Sequence, residues 1–225
     1  INIYYGTRAK IFFEYYQGVL NHKLNLFNVG FDFRHYTKIY RSLIWANRIA
    51  GGTSFGSTRL IYILGGVDNW LFPRYMYQPV LDPSMNFSFQ TLATNLRGMP
   101  QNIRNGNTFF VINSEIRFPI FRFLFNRPLK SKFLNTFQLN FFGDIGSAWL
   151  GLNPYADINI YVPEYYYKKP ITVVINNARN PLVGGIGFGA RADLLGYFMR
   201  LDYAWGIEER GILSPRLIFS ITKDF

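Results

Sequence analysis

The segment that ends at Phe225 alternates large apolar and smaller side chains with a period of two residues. One face carries the large apolar residues Leu217, Phe219, Ile221 and Phe225. The opposite face carries Ile218, Ser220 and Thr222. Such alternation arises when one side of a strand faces lipid and the other faces a wet lumen, as in an outer-membrane β-barrel. Because Lys223 interrupts the stripe and a soluble edge strand can also end in Phe, this segment alone leaves both folds open.

The composition favours the barrel. The 225 residues are 49% hydrophobic and 19% aromatic, yet no apolar run reaches the ~18 residues that a transmembrane helix requires. Barrels place Tyr, Trp and Phe in girdles at both membrane interfaces. A soluble β-sandwich is the alternative, but it does not need so many outward-facing aromatics.

Charge and cysteine content narrow the functional classes. The chain has no cysteine, which excludes disulfide frameworks and Cys-based metal sites. Its net charge is +11, but the cations are spread along strands and loops without a nucleic-acid-binding motif. We therefore expect no nucleic acid as a partner. Outer-membrane lipid, lipopolysaccharide phosphates and acidic groups are the expected partners of these cations.

Period-two alternation predicts eight strands. They cover about 3–17, 24–35, 42–51, 108–119, 136–149, 182–193, 197–206 and the terminal segment. Long connections are expected at about 52–107 and 150–181, whereas the connection at 194–196 is tight. Short periplasmic turns and long outer loops are typical of outer-membrane barrels, which places the loops around Arg97, Tyr166 and Arg210 outside. We predict an all-β, transmembrane antiparallel β-barrel domain over 1–225.

The length of the 52–107 connection indicates half of a larger barrel, because a closed eight-stranded barrel has little need for it. The chain begins at Ile1, inside a predicted strand and without a secretory signal. We therefore expect the C-terminal part of a longer secreted precursor, or only its ordered part.

Catalytic patterns are weak, so we expect no enzymatic activity and no cofactor or metal. His22 and His35 lack a third metal ligand at recognisable spacing. The glycine-rich stretch 184–189 lies inside an alternating strand, which excludes a dinucleotide-binding turn. Its alternate glycines instead predict room for a bulky group in the lumen. Ser54, Ser57 and Ser84 have no His–Asp order that would support a nucleophile.

One constellation of charged residues suggests a specific contact. Arg97 precedes Gly98 in the long loop, while Glu115 and Asp144 project from the polar faces of adjacent predicted strands. The planar guanidinium binds carboxylates in a bidentate manner, and glycine permits a sharp backbone turn close to the wall. We predict that the loop folds into the lumen and that Arg97 bonds Asp144, with Glu115 close by. The alternative is a solvated arginine and two acids in a wet lumen.

Leu96-Arg97-Gly98-Met99 resembles the Val-Arg-Gly-Phe/Tyr motif of the BamA-type outer-membrane insertase and translocase superfamily, which includes TamA and the two-partner secretion transporters. Segments 113–119 and 142–149 are similar to its Glu-x-Arg-x-Pro and Phe-x-Asp-x-Gly-x-x-Trp strands. Segments 187–191 and 200–204 match the two strands before the last. Met99 departs from the family's aromatic residue.

The resemblance implies the last eight of sixteen strands, with Arg97, Gly98, Glu115 and Asp144 fixing the sixth outer loop inside the lumen. It implies a terminal assembly signal at Phe219, Ile221 and Phe225. It also implies unfolded or secreted protein clients and a bacterial outer-membrane location. A POTRA domain, a TolB-like propeller as in Bacteroidota-type members, or accessory lipoproteins are the implied periplasmic partners.

Three functions remain open from the sequence. The first is assistance with insertion, assembly or translocation of proteins, through a weak seam or a gated lumen. Pro215 and Lys223 weaken strand pairing at such a seam. The second is a passive pore or substrate transporter, which needs no inserted arginine loop. The third, an outer-membrane enzyme, requires a Ser–His pair that the sequence does not supply.

Overall fold

The computed structural model describes residues 5–19, 23–76, 85–125, 130–168, 171–209 and 211–223. These residues form fourteen strands. In chain order the strands are β1 (Gly6–Gln17), β2 (Asn25–Tyr40), β3 (Leu43–Gly56), β4 (Arg59–Leu64), β5 (Phe87–Leu92), β6 (Arg104–Gly106), β7 (Thr108–Phe118), β8 (Gln138–Trp149), β9 (Tyr161–Lys168), β10 (Ile171–Ala178), β11 (Val183–Leu194), β12 (Tyr197–Glu208), β13 (Gly211–Ile212) and β14 (Arg216–Lys223). The short helices are α1 (Ile120–Phe125), α2 (Lys132–Thr136) and α3 (Asp157–Ile160).

A nine-stranded antiparallel sheet dominates the fold. Its order is β1-β2-β3-β7-β8-β11-β12, after which both β13 and β14 pair with β12. Eight of these strands are long and match the eight predicted from alternation. Within the described residues the edge strands β1 and β14 are not paired with each other. The all-β class and the large antiparallel sheet are therefore confirmed.

The two faces of the sheet differ in the way that the alternation predicts. On β8, Gln138, Asn140, Phe142 and Asp144 are buried, whereas Phe141 and Ile145 are 58% and 47% exposed. The same division holds on β7, where Val111 and Glu115 are buried and Ile112 and Ile116 are exposed. We call the buried side the inner face and the exposed side the outer face.

The connection from β3 to β7 spans 57–107 and is named here the inner segment; its described residues, 57–76 and 85–107, pack on the inner face. Its β4 pairs in parallel with β5 and antiparallel with β6 in a separate small sheet. Leu60, Leu64, Leu96, Met99 and Ile103 form one buried cluster with inner-face residues such as Val111 and Ala148. Met99, which departs from the aromatic expected by resemblance, is fully buried in that cluster.

Several connections differ from the sequence expectation. The long loop predicted at 52–107 begins only after Gly56, because β3 extends beyond the predicted end at 51, and it contains three strands. The connection 150–182, named here the hairpin segment, contains α3 and the hairpin β9–β10. Two short helices occupy part of the β7–β8 connection. Each of these elements depends on pairing or capping that a period-two search does not detect.

None of the helices among the described residues has the length and apolar character needed to span a membrane. The tight turn predicted at 194–196 is present, with Leu195 at φ +57° and 89% exposed. Phe225, His22, Ser84 and Arg210 lie outside the described residues.

Candidate functional site

Arg97 joins the inner segment to two strands of the large sheet. Its Nε and Nη2 atoms donate to Asp144 Oδ2 and Oδ1, each at 2.7 Å, and its Nη1 donates to Glu115 Oε2 at 2.6 Å. The backbone N–H of Arg97 also donates to Asp144 Oδ2 at 3.1 Å. One guanidinium therefore makes a bidentate pair with one carboxylate and a further charged bond to the other, which is the contact predicted from the sequence.

Strand register explains why a single side chain reaches both acids. Asp144 lies opposite Asn113, and Glu115 lies opposite Phe142, so the two carboxylates are diagonal neighbours on adjacent strands. Phe142 lies directly opposite Glu115 and two residues before Asp144 on the same face of β8. The guanidinium carbon of Arg97 is 3.6 Å from the centroid of the Phe142 ring. This stacking adds a cation–π contribution of about 2 kcal/mol for a desolvated pair.

The cluster is almost fully removed from solvent. The exposed fractions of the Arg97, Asp144 and Glu115 side chains are 4%, 0% and 9%. Burial by itself lowers the pKa of the Arg97 guanidinium, but the attraction of Asp144 and then Glu115 outweighs it and raises that pKa above its ordinary value. Removing one partner from such a cluster leaves a buried charge unpaired, which typically costs about 3–5 kcal/mol.

Two glycines allow the inner segment to approach the sheet. Gly98 has φ +83°, and a Cβ there would lie 2.5 Å from the Trp205 carbonyl oxygen. On β11, a Cβ at Gly185 would lie only 1.8 Å from the carbonyl oxygen of Arg97. The bulky group for which the alternating glycines of β11 were predicted to make room is, at Gly185, the backbone of the inner segment itself.

The inner segment is also attached to the last strand. Arg216 Nη1 donates to the Gly98 carbonyl at 2.8 Å. Trp70 forms an isolated antiparallel bridge with Ser220, and the Leu71 N–H donates to the Phe219 carbonyl at 3.0 Å. At the other end of the sheet, Tyr62 donates its hydroxyl proton to Asn28 Oδ1 on β2. The inner segment thus contacts the inner face from β2 to β14.

Sequence reasoning did not identify the other partners of Glu115. Its Oε1 atom accepts from Arg117 Nε at 2.7 Å and lies 3.0 Å from Arg191 Nη1. Arg191 also donates to Gln138 Oε1. The sequence signal for this cluster is the two-residue alternation, which places all of these side chains on the inner face. Alternation cannot select partners, because strand register and side-chain reach decide which of several inward residues meet.

The remaining candidate residues are placed as follows. The Phe219 and Ile221 side chains lie half-buried on β14, and Phe225 is outside the described residues. His35 Nδ1 is 2.8 Å from Thr7 Oγ1. Buried Ser54 donates to the Leu60 carbonyl. Within the described part of the chain, no group of three His, Asp or Glu side chains is arranged to hold a metal ion.

Comparison with protein-family models and with curated proteins found no match to this chain. The site joins the inner segment to the inner face of the large sheet by buried hydrogen bonds and ion pairs.

Proposed function

We propose that this chain is part of an outer-membrane β-barrel that assists the insertion, assembly or translocation of proteins. The observation that carries the proposal is the buried cluster of Arg97, Asp144 and Glu115, which holds the inner segment on the inner face of the sheet. A soluble sheet protein has no need to hold a long connection on one face of its sheet with buried charges, whose desolvation is costly. A protein with a gated lumen does need such an attachment.

The outer face supports a membrane location. Its exposed side chains on neighbouring strands include Phe141, Ile145, Phe188 and Leu201, each between 44% and 58% exposed. A continuous apolar surface of this kind is unfavourable in water, and acyl chains would cover it. Because open sheet edges are not tolerated in lipid, we infer that further strands close the gap between the edges of β1 and β14.

The last strand supports a role for its edge. β14 pairs with β12 over eight residues, and Trp70 and Leu71 of the inner segment also contact it. Pro215 stands at the entry of β14 and cannot donate a backbone hydrogen bond. An edge that is held by a connecting segment, rather than by a long strand, opens at low cost. Such an edge can accept a strand of a client protein by β-augmentation.

The rival function is a passive pore or substrate transporter. The inner segment argues against it, because Leu64, Leu96 and Met99 are fully buried against the wall and reduce the open lumen. An ion-conducting pore would favour a hydrated, polar lining over such packing.

The test measures assisted folding. The full-length protein is reconstituted in lipid vesicles, and the folding of a urea-unfolded barrel client is followed by protease protection. We expect wild type to accelerate client folding, Arg97→Ala to lose most of the acceleration and Arg97→Lys to retain part of it. Arg41→Ala, at an exposed arginine in the β2–β3 turn, is the matched control. Ion conductance without acceleration in wild type would instead favour the passive pore.

A further inference from the structure

A second feature of the inner face is a cavity of about 180 Å³ beside the Arg97 cluster. Its wall contains six arginines, contributed by five strands and the inner segment: Arg34, Arg48, Arg97, Arg117, Arg191 and Arg200. Among the described residues that line it, Glu115 is the one that carries a carboxylate. The cavity extends from Arg97 toward the end of the sheet that carries the tight turn at 194–196, since Arg191 and Arg200 each lie within a few residues of that turn.

Strand register makes this cluster electrostatically unfavourable without a counterion. Arg34 lies directly opposite Arg48 on β2 and β3, and Arg191 lies directly opposite Arg200 on β11 and β12. Like charges that face each other across a strand pair destabilise a sheet. Asp32 relieves the first pair by bonding both arginines at 2.7 Å. In the second pair Arg191 lies beside Glu115 and Arg200 beside Asp202, but Glu115 also pairs with Arg97 and Arg117, so one carboxylate is divided among three arginines.

A count of charges also indicates that this arginine cluster needs a counterion. The carboxylates bonded to these arginines, or within ion-pair distance of them, are Asp32, Glu115, Asp144 and Asp202. Six guanidinium groups against four carboxylates leave a surplus of two positive charges in a partly desolvated space. Because the interior has a lower dielectric constant than water, this surplus attracts an anion more strongly than surface cations do.

Donors remain for such an anion. Arg200 Nη2 is buried and has no hydrogen-bond partner among the described residues, although Arg200 Nε lies 2.8 Å from Asp202 Oδ2. Side-chain exposure is 34% for Arg34, 20% for Arg117 and 7% for Arg191. The arginines therefore extend from an accessible mouth to a buried floor.

We propose that this cavity binds a phosphate group, with Arg200, Arg117 and Arg34 as its donors. The planar fork of arginine matches phosphate oxygens in a bidentate manner, and a divalent phosphate balances the surplus of two charges. The phosphate belongs either to a small soluble molecule or to a lipid headgroup. This site is independent of client folding, because it is defined by anion binding to the isolated protein.

The experiment titrates the detergent-solubilised full chain with pyrophosphate and, separately, with short-chain phosphatidic acid, using calorimetry. We expect saturable binding of at least one ligand. Because a charged hydrogen bond contributes about 1.5–3 kcal/mol, Arg200→Gln and Arg34→Gln should each weaken binding roughly ten- to a hundredfold. Arg41→Gln, outside the cavity, should bind like wild type. Thermal melting of each variant verifies that the fold is retained.

The two titrations, with pyrophosphate and with phosphatidic acid, identify the source of the phosphate group. Tighter binding of pyrophosphate assigns a soluble ligand, and tighter binding of phosphatidic acid assigns a lipid headgroup. Absence of saturable binding of both ligands by wild type would overturn the proposal. Equal affinities in wild type, Arg200→Gln, Arg34→Gln and Arg41→Gln would overturn it as well, because the binding would then lie elsewhere.

Discussion

The inner segment and the hairpin segment are both long connections between neighbouring strands, but they differ in burial. The inner segment includes the fully buried residues Leu64, Leu96 and Met99 and the nearly buried Arg97. In the hairpin segment, Ile171, Val173 and Ile175 are 64%, 47% and 44% exposed. A long connection therefore does not pack on the sheet merely because it is long. The inner segment does so through buried apolar side chains, the ion pairs of Arg97 and the close backbone approach at Gly98 and Gly185.

The bases of the two segments meet at one residue. Arg104, which is 1% exposed, donates to the Asn180 carbonyl at 2.7 Å and pairs with Glu208 at 2.8 Å. In the hairpin segment Asn159 is buried and bonds both the N–H and the carbonyl of Leu150. The base of the hairpin segment is therefore ordered by polar contacts, while β9 and β10 pair with each other.

The largest effect is expected from breaking the ion-pair cluster. Asp144→Ala leaves the Arg97 charge buried without its bidentate partner, so it should lower the free energy of unfolding by about 3–5 kcal/mol. Proteolysis within the inner segment should become faster, and proteolysis of the hairpin segment should not. Arg97→Ala should act similarly. In denaturant titrations the double variant should be little worse than either single one, whereas additive losses would show two independent attachments.

The next effect compares two exposed apolar side chains. Phe141 on the outer face and Ile171 in the hairpin segment have similar exposure, 58% and 64%. If acyl chains cover the outer face, Phe141→Arg should cost about 2–4 kcal/mol near the bilayer midplane. Ile171→Arg should cost little, because we expect this position to lie outside the membrane. Equal yields of both variants in the membrane fraction would contradict the assignment of the outer face to lipid.

A smaller effect is expected from filling the space that a glycine leaves between β11 and the backbone of the inner segment. Gly185→Ala brings a Cβ against the Arg97 carbonyl oxygen, and the resulting shift should cost about 1–3 kcal/mol. Gly143→Ala is the matched control, since the nearest atom to its Cβ is Ile186 Cγ2 at 4.0 Å. Thermal melting and proteolysis of the inner segment measure both variants. A Gly185→Ala protein with a wild-type melting temperature would show that the inner segment does not press on β11.

The smallest effect is expected from shortening the hairpin. Because β9 and β10 pair only with each other among the described strands, replacing residues 163–176 by a short turn should leave the melting temperature nearly unchanged. If the protein assists client folding as proposed, that activity should also persist, since the inner segment keeps its attachment. Loss of the membrane-inserted form in this variant would mean that the hairpin segment contributes more to the proposed barrel than its pairing indicates.

The sequence alone was enough to predict the eight long strands of the large sheet and the face on which their side chains lie. The reason is that side chains alternate with a period of two, so apolar and polar residues on β7, β8 and β11 report their faces directly. The same alternation predicts that Glu115 and Asp144 lie on the inner face. The Arg97-Gly98 pair in a long connection then predicts that Arg97 bonds Asp144, with Glu115 close by.

Which of the inward residues meet depends on how the strands pack together. The parallel pairing of β4 with β5 joins segments more than twenty residues apart and has no local signal. The register between strands likewise decides three features of the site. These are the close approach at Gly185, the stacking of Arg97 on the ring of Phe142 and the three arginines around Glu115. Sequence periodicity specifies the face of a residue, whereas contacts across a sheet also require the relative shift of strands, and that shift is set by packing of the whole inner face.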